Sequence, residues 1–395
     1  MHVYLGSDEG VTKLGDVAAE AGLRRVHILA WRDLDDPEAG GSEVHADRIA
    51  ALWAEAGIDV LMRTSRAEGH PARAVRSGYR VSRRGGRLGG FPDAVARELL
   101  GRADRRDGLV EVWNGMPFFV PLWARGPRVT FVHHVHADMW RQVLAPRRAR
   151  IGEAIELRIA PRLYRDARVL TPSASSRRTI IDRLGLPGAR VSVVPNGIDG
   201  AFCPGETRSP GPLVVVAGRL VPHKRIEAVI RAVVSLRLRH RDLELAVVGE
   251  GWSRPGLEAL VAELRAGSYV RFTGRVDDET LVQWYQRAWV LASASSSEGW
   301  GLTITEAAGC HTPAVATRID GHVDAVVDEA TGLLVDDDLE LEAAIARVIA
   351  EPTLRRRLGA AAAAHAAAFT WHRTALGVLE ALAAEAKHHR NSANR

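Results

Sequence analysis

Glu298 and Glu306 stand eight residues apart, on either side of a turn that contains Gly299 and Gly301. The apolar lead-in Trp289-Val-Leu-Ala reads as a short buried strand, the glycines break it, and Ile304 to Cys310 resumes at helical spacing. A helix that starts at such a turn leaves the N–H groups of Gly301, Leu302, Thr303 and Ile304 without intrahelical partners, so the turn suits an anion such as a diphosphate. Carboxylates accept hydrogen bonds from sugar hydroxyls, and both glutamates can face one crevice at the carboxyl end of the strand. A second cluster, Gly218-Arg-Leu-Val-Pro-His-Lys224, follows the apolar run Leu213 to Ala217. Gly218 permits close approach of a ligand, while Arg219 supplies a forked donor and Lys224 a compact ammonium. That pair is what a departing diphosphate requires.

The first half of the chain carries weaker signals. Arg25 to Trp31 reads as a buried strand, followed by Asp35-Asp-Pro-Glu-Ala-Gly40-Gly41-Ser-Glu43 and then a helical pattern through Ile49, Leu52 and Trp53. Ser42 is the expected N-cap, and Gly40 and Gly41 let a ligand come near the backbone. No G-x-G-x-x-G follows this strand, which argues against a dehydrogenase. The strand Arg128 to Val132 runs into His133, His134 and His136. Alternate residues of an extended chain face opposite ways and no nearby acid supplies a convincing third ligand, so zinc is a poor fit; one imidazole donating to a sugar fits better. Asp336 to Asp338 reads as a helix cap rather than a metal motif.

These residues need two sets of alternating strands and helices to position them. A chain of 395 residues exceeds what one core usually serves, and its 46% apolar content is ordinary for a globular protein. Each half repeats strand then helix, the pattern of a doubly wound α/β domain. The Gly- and Pro-rich segment 200–212 is the expected linker. Two cysteines, Cys203 and Cys310, fit a reducing compartment. No secretory leader and no apolar run of 18 residues is visible, so a cytoplasmic protein is expected. Nothing points to nucleic acid. Between Arg63 and Arg106 twelve arginines face four acids, which suits either a peripheral contact with an anionic membrane surface or a compositional bias.

Glu298-Gly-Trp-Gly-Leu-Thr-Ile-Thr-Glu306 resembles the E-x7-E element of the retaining family 4 glycosyltransferases, and Pro195-Asn-Gly-Ile-Asp199 resembles that family's interdomain turn. The resemblance implies the GT-B fold, two Rossmann-like doubly wound domains facing a cleft. Their expected extents are 1–200, binding the acceptor, and 201–371, binding the nucleotide sugar, with a terminal helix at about 372–388 returning to the first and a frayed tail after it. It implies transfer of a sugar from a nucleoside diphosphate sugar to the hydroxyl of a sugar, lipid-linked sugar or small molecule, in envelope polysaccharide, glycolipid or other glycoconjugate synthesis. By the same resemblance Glu298 lies beside the transferred sugar and Glu306 holds the ribose. Arg219, Lys224 and the helix start at Gly301 to Thr303 take the diphosphate, and the Gly40–Gly41 loop faces the donor phosphates. His133 reaches the sugar, with His134 as the alternative register, and the base lies along Val270 to Val276. No metal or other cofactor is expected. An epimerase or hydrolase of the same architecture, or a non-catalytic nucleotide-sugar binder, would share these features.

Overall fold

Strands buried at all positions or all but one need cover on both faces, and most strands among the described residues are of that kind. The computed structural model describes residues 8–86, 89–100 and 105–393. The chain divides into two units, Met1–Gly197 with Trp371–Arg395, and Ile198–Thr370.

The first unit is built on eight strands: β1 (Arg25–Leu29), β2 (Asp59–Thr64), β3 (Arg73–Arg76), β4 (Tyr79–Arg83), β5 (Gly108–Trp113), β6 (Arg128–Val132), β7 (Val169–Thr171) and β8 (Val191–Val193). Their order is β3-β4-β2-β1-β5-β6-β7-β8, parallel throughout except for the β3–β4 hairpin. That hairpin turns on Ser77 and Gly78, both at positive φ, as a two-residue turn demands. β1 is the strand from which the sheet grows in both directions. The carboxylate of Glu111 lies inside the unit on β5, fully buried. Burial pushes its pKa up to about 7, against hydrogen bonds from Tyr164, Thr130 and the Phe118 N–H. The turn after β5 is thereby tied to the sheet.

Helix Trp371–Ala393 belongs to this unit. Trp53 Nε1 donates to Ala375 O at 3.0 Å, and Thr374 Oγ1 donates to Pro195 O at 2.7 Å. The helix runs past the expected end near Lys387, because Arg390 donates to Ala21 O at 2.5 Å, where helix Asp8–Ala21 stops. Residues 388–393 are therefore helical rather than frayed; 394–395 lie outside the described residues, as do 87–88 of the Arg84–Gly90 connection.

The second unit carries β9 (Leu213–Ala217), β10 (Glu244–Val248), β11 (Val270–Gly274), β12 (Val290–Ser293), β13 (Ala314–Thr317) and β14 (Gly332–Val335), all parallel, in the order β11-β10-β9-β12-β13-β14. Alternation on β9 shows how both faces are served. Val214 and Val216 enter one cluster with Val229, Val233 and Ile345, while Leu213 and Val215 enter another with Tyr285, Ile304 and Ala307. Segment 200–212 is not a free linker. Ser209 N–H donates to Arg287 O at 3.0 Å and Gln286 Nε2 to Cys203 O at 2.9 Å, and the division falls earlier, after Gly197.

Six arginines of the stretch between Arg63 and Arg106 pair with carboxylates inside the first unit: Arg63 and Arg106 with Glu98, Arg76 and Arg83 with Asp33 and Asp35, Arg80 with Asp59, and Arg97 with Asp93. Among the described residues no helix is long and apolar enough to cross a membrane. Leu379 of the terminal helix is fully buried, so Leu379→Ala should destabilise the protein by about 2–5 kcal/mol, read as a lowered denaturant midpoint. An unchanged midpoint would show that the helix is not part of the cooperative unit.

Candidate active site

In a doubly wound sheet the crevice for a ligand opens at the carboxyl ends of the strands where the order reverses. In the second unit that point lies between β9 and β12, and the loops leaving these two strands carry Gly218 to Lys224 and Ala294 to Gly301. The two loops are bonded together: Ser296 N–H donates to His223 O at 2.8 Å. Lys224, in the short turn Pro222–Lys224, forms an ion pair with Glu298 Oε1, which also accepts from Ser295 Oγ at 2.9 Å. Both partners are mostly enclosed, with 18% and 16% of the side chains exposed.

The Glu298 carboxyl is held down to about 2: burial works against its ionisation, but Lys224, with His322 and His223, outweighs it. His322 sits behind it, fixed by Thr317 O at 2.9 Å from Nδ1 and by Ser293 Oγ at 3.3 Å from Nε2. Burial lowers its pKa, so a neutral imidazole is favoured there.

Gly218 has φ +127, and a Cβ built there would lie 3.9 Å from both Lys224 Nζ and Thr303 Cγ2. A bare backbone, an ammonium and the start of helix Leu302–Gly309 thus converge. Gly301 caps that helix at φ +103, a conformation that favours glycine. The expected row of free N–H groups is shorter than four, because Ile304 N–H is taken by Gly301 O at 3.0 Å. Leu302 and Thr303 N–H precede the first intrahelical bonds. Gly249, at φ +135, packs so tightly under this turn that a Cβ would collide with Gly218 O. Arg219 is partly exposed on the same turn. Glu306, about one turn into the site's helix, accepts from Tyr285 OH at 3.0 Å. Asp337 caps helix Asp338–Ala350 by accepting from Leu339 and Glu340 N–H. Among the described residues no cluster of His, Cys, Asp and Glu is arranged to hold a metal ion.

The first unit assembles its own polar group at the corresponding strand ends. Helix Gly41–Glu55 is capped by Gly40 rather than by Ser42, because Glu43 Oε2 accepts from Gly40 N–H at 2.8 Å while Ser42 Oγ turns to Glu43 and to Asn114. His133 is buried and sits edge-on to His45, ring centres 4.9 Å apart. Burial, then His45 and His136, holds the His133 pKa well below its ordinary value. Burial likewise takes His45 down to about 4, the Asn196 hydrogen bond opposing it, so both imidazoles are neutral. His45 Nδ1 lies 2.8 Å from Asn196 Oδ1, so the asparagine pairs with a side chain. His134 and His136 stack on each other, ring centres 4.1 Å apart. The sequence reading also misses an acid beside them. Glu156, in a π-helical turn, accepts from the N–H groups of His136 and Ala137 and from Trp140 Nε1 at 2.7–2.9 Å, holding the histidine loop rather than a metal.

Residues 204–365 match the family model described as glycosyl transferases group 1, and residues 39–202 match glycosyltransferase family 4. A D-inositol 3-phosphate glycosyltransferase of Acidothermus cellulolyticus is 31% identical to this chain, covering 92% of each. Sucrose-phosphate synthase from Thermosynechococcus elongatus is similar in structure, with TM-score 0.78 and 23% identity over 90% of this chain and 97% of that one. HepE of Anabaena, in complex with UDP-glucose, gives TM-score 0.70 and 19% identity over 91% and 98%. These structural likenesses show the fold, which is GT-B.

Because the Glu298 carboxyl is depressed from its ordinary range, the pair with Lys224 stabilises the fold fully above about pH 4.5, and that contribution drains away as pH falls toward 2. The stability difference between wild type and Glu298→Gln, followed by chemical denaturation, should therefore be widest near neutrality and close in acid. A difference independent of pH would remove the ion pair from the site.

Proposed function

The chain belongs to the family described by those two models and is a glycosyltransferase, and from that premise we propose that it moves a sugar from a nucleoside diphosphate sugar to an acceptor hydroxyl with retention of anomeric configuration. The observation that carries this reading is the convergence of Lys224, the Gly218 backbone and the start of helix Leu302–Gly309 beside Glu298.

The bond between the anomeric carbon and the diphosphate oxygen breaks, the acceptor oxygen bonds to that carbon from the same face, and the acceptor proton leaves with the diphosphate. Charge grows on the diphosphate as the bond opens. Lys224, Arg219 and the N–H groups of Leu302 and Thr303 meet it there, so the charge is carried without a metal. Glu306, braced by Tyr285, holds the ribose hydroxyls. Glu298, kept ionised by Lys224, serves the sugar. On family resemblance His133 donates to the sugar and the Gly40–Gly41 loop serves the donor phosphates. A neutral His133 can donate from one ring nitrogen without adding charge.

The relative of Acidothermus cellulolyticus is named for D-inositol 3-phosphate, and HepE was solved with UDP-glucose. A phosphorylated polyol with UDP-linked hexoses is accordingly the first substrate pair to assay, ahead of the sugar and lipid-linked acceptors of envelope glycoconjugates.

Lys224→Ala should cut turnover about 100- to 1000-fold while thermal unfolding stays cooperative, since one donor to a developing anion is worth that much. Wild-type turnover in this variant would remove the diphosphate assignment. The glutamates should fail differently. Glu306→Gln weakens its charged hydrogen bonds to ribose and should reduce affinity for the bare nucleoside diphosphate, measured by calorimetry. Glu298→Gln should lower kcat with bare-nucleotide affinity near wild type, because its partner is the sugar. Equal loss of nucleotide affinity in both would overturn this division.

A further inference from the structure

The second unit has another cation cluster at the opposite ends of its strands. Arg208, His311, Arg355, Arg356 and Ala360 line a surface pocket of about 490 Å³. Arg208 reaches beneath the sheet and donates to Ala288 O, to Thr312 Oγ1 at 2.9 Å and to His311 O at 2.5 Å, just ahead of β12 and β13. Arg355 Nη1 donates to Val348 O and Ile349 O at 2.9 and 3.1 Å, and its guanidinium covers the Trp289 ring at 3.8 Å from the centre. Both guanidiniums are pinned. The Arg356 side chain is exposed and has neither a hydrogen bond nor an ion pair among the described residues.

None of the three arginines has a carboxylate partner among the described residues. Elsewhere in the same unit, clustered guanidiniums do: Arg318 pairs with Asp328 and Asp336, and Arg347 with Glu329. Carbonyl oxygens satisfy N–H groups but leave the positive charge uncompensated. Burial, then the neighbouring Arg208 and Arg356, lowers the Arg355 pKa, as mutual repulsion requires. Each guanidinium carries five N–H donors. Arg355 spends only Nη1, so its Nε and Nη2 donors and the whole of Arg356 remain available.

We propose that this pocket binds a phosphate-bearing anion, either a free phosphate or phosphate ester or the head group of an anionic lipid. A phosphate presents several acceptor oxygens and up to two negative charges to planar forks held in place beforehand, which is the match that arginine makes best. The pocket is separate from the candidate active site. β9 spans five residues, so about 16 Å of strand lies between the pocket's end of the sheet and Gly218.

Calorimetry with inorganic phosphate tests the soluble source, using the full chain, Arg356→Gln and, to silence the diphosphate site, Lys224→Ala. Binding that survives in Lys224→Ala and weakens at least about tenfold in Arg356→Gln supports the pocket. Co-sedimentation with phosphatidylglycerol vesicles against phosphatidylcholine vesicles tests the lipid source; capture by the anionic vesicles alone that falls in Arg356→Gln supports it equally. Glycosyl transfer should be unchanged in Arg356→Gln, because that residue is remote from Lys224 and Glu298. Phosphate binding lost in Lys224→Ala but kept in Arg356→Gln, or neither phosphate nor anionic-vesicle binding by wild type, would overturn the proposal without touching the diphosphate assignment.

Discussion

A parallel sheet that grows in both directions from one strand sends successive loops to opposite faces, and where the directions part the loops leave a crevice at the strand ends. In the second unit that strand is β9, and the loops after β9 and β12 hold Arg219, Lys224 and Glu298. The strand ends are fixed because β9 is covered on both faces by apolar side chains. The loops, by contrast, need bonds of their own. Ser296 to His223 and Lys224 to Glu298 join them, and glycines at 218, 249 and 301 allow the backbones to approach.

Charge in the two units is managed in different ways. In the second, Lys224 keeps the Glu298 carboxylate ionised at the crevice against the cost of its burial. In the first, burial keeps His45 and His133 neutral, and the carboxylates Glu111 and Glu156 are consumed in holding the turns after β5 and β6. These acids act on backbone N–H groups; their contribution to chemistry is to hold the His133 to Trp140 loop and the Phe118 turn in one conformation. The same economy explains the arginines of residues 63–106. Six of them are counter-ions to carboxylates of the first unit, whereas Arg208, Arg355 and Arg356 of the second have no carboxylate partner among the described residues.

Much of the second unit was legible in the sequence because each of its functional pieces is a continuous strand, turn and helix. Gly218 to Lys224 and Glu298 to Glu306 carry their glycines, cations and carboxylates within a few residues of the strand that positions them, and local chain geometry suffices to aim them. The cap at Asp337 was legible for the same reason. What was missed depends on distant pairing. His45 meets Asn196 across 151 residues, Glu156 reaches back 20 to His136, and Tyr285 braces Glu306 from 21 residues away. No periodicity marks such residues. Ser42 was misread as a cap because a serine before a helix is a good local candidate, whereas Glu43 closes the turn on Gly40.

The sequence by itself determined the alternation of strands and helices, the apolar faces that cover both sheets, and the chemistry available at each strand end, since these depend on residue type and short spacing. The tertiary structure alone decided which charges are free. Whether an arginine faces solvent or a buried aspartate, and whether Glu298 stands alone or against Lys224 74 residues earlier, is settled by which loops the sheet order brings together. Electrostatic interaction falls with distance in space and takes no account of separation along the chain.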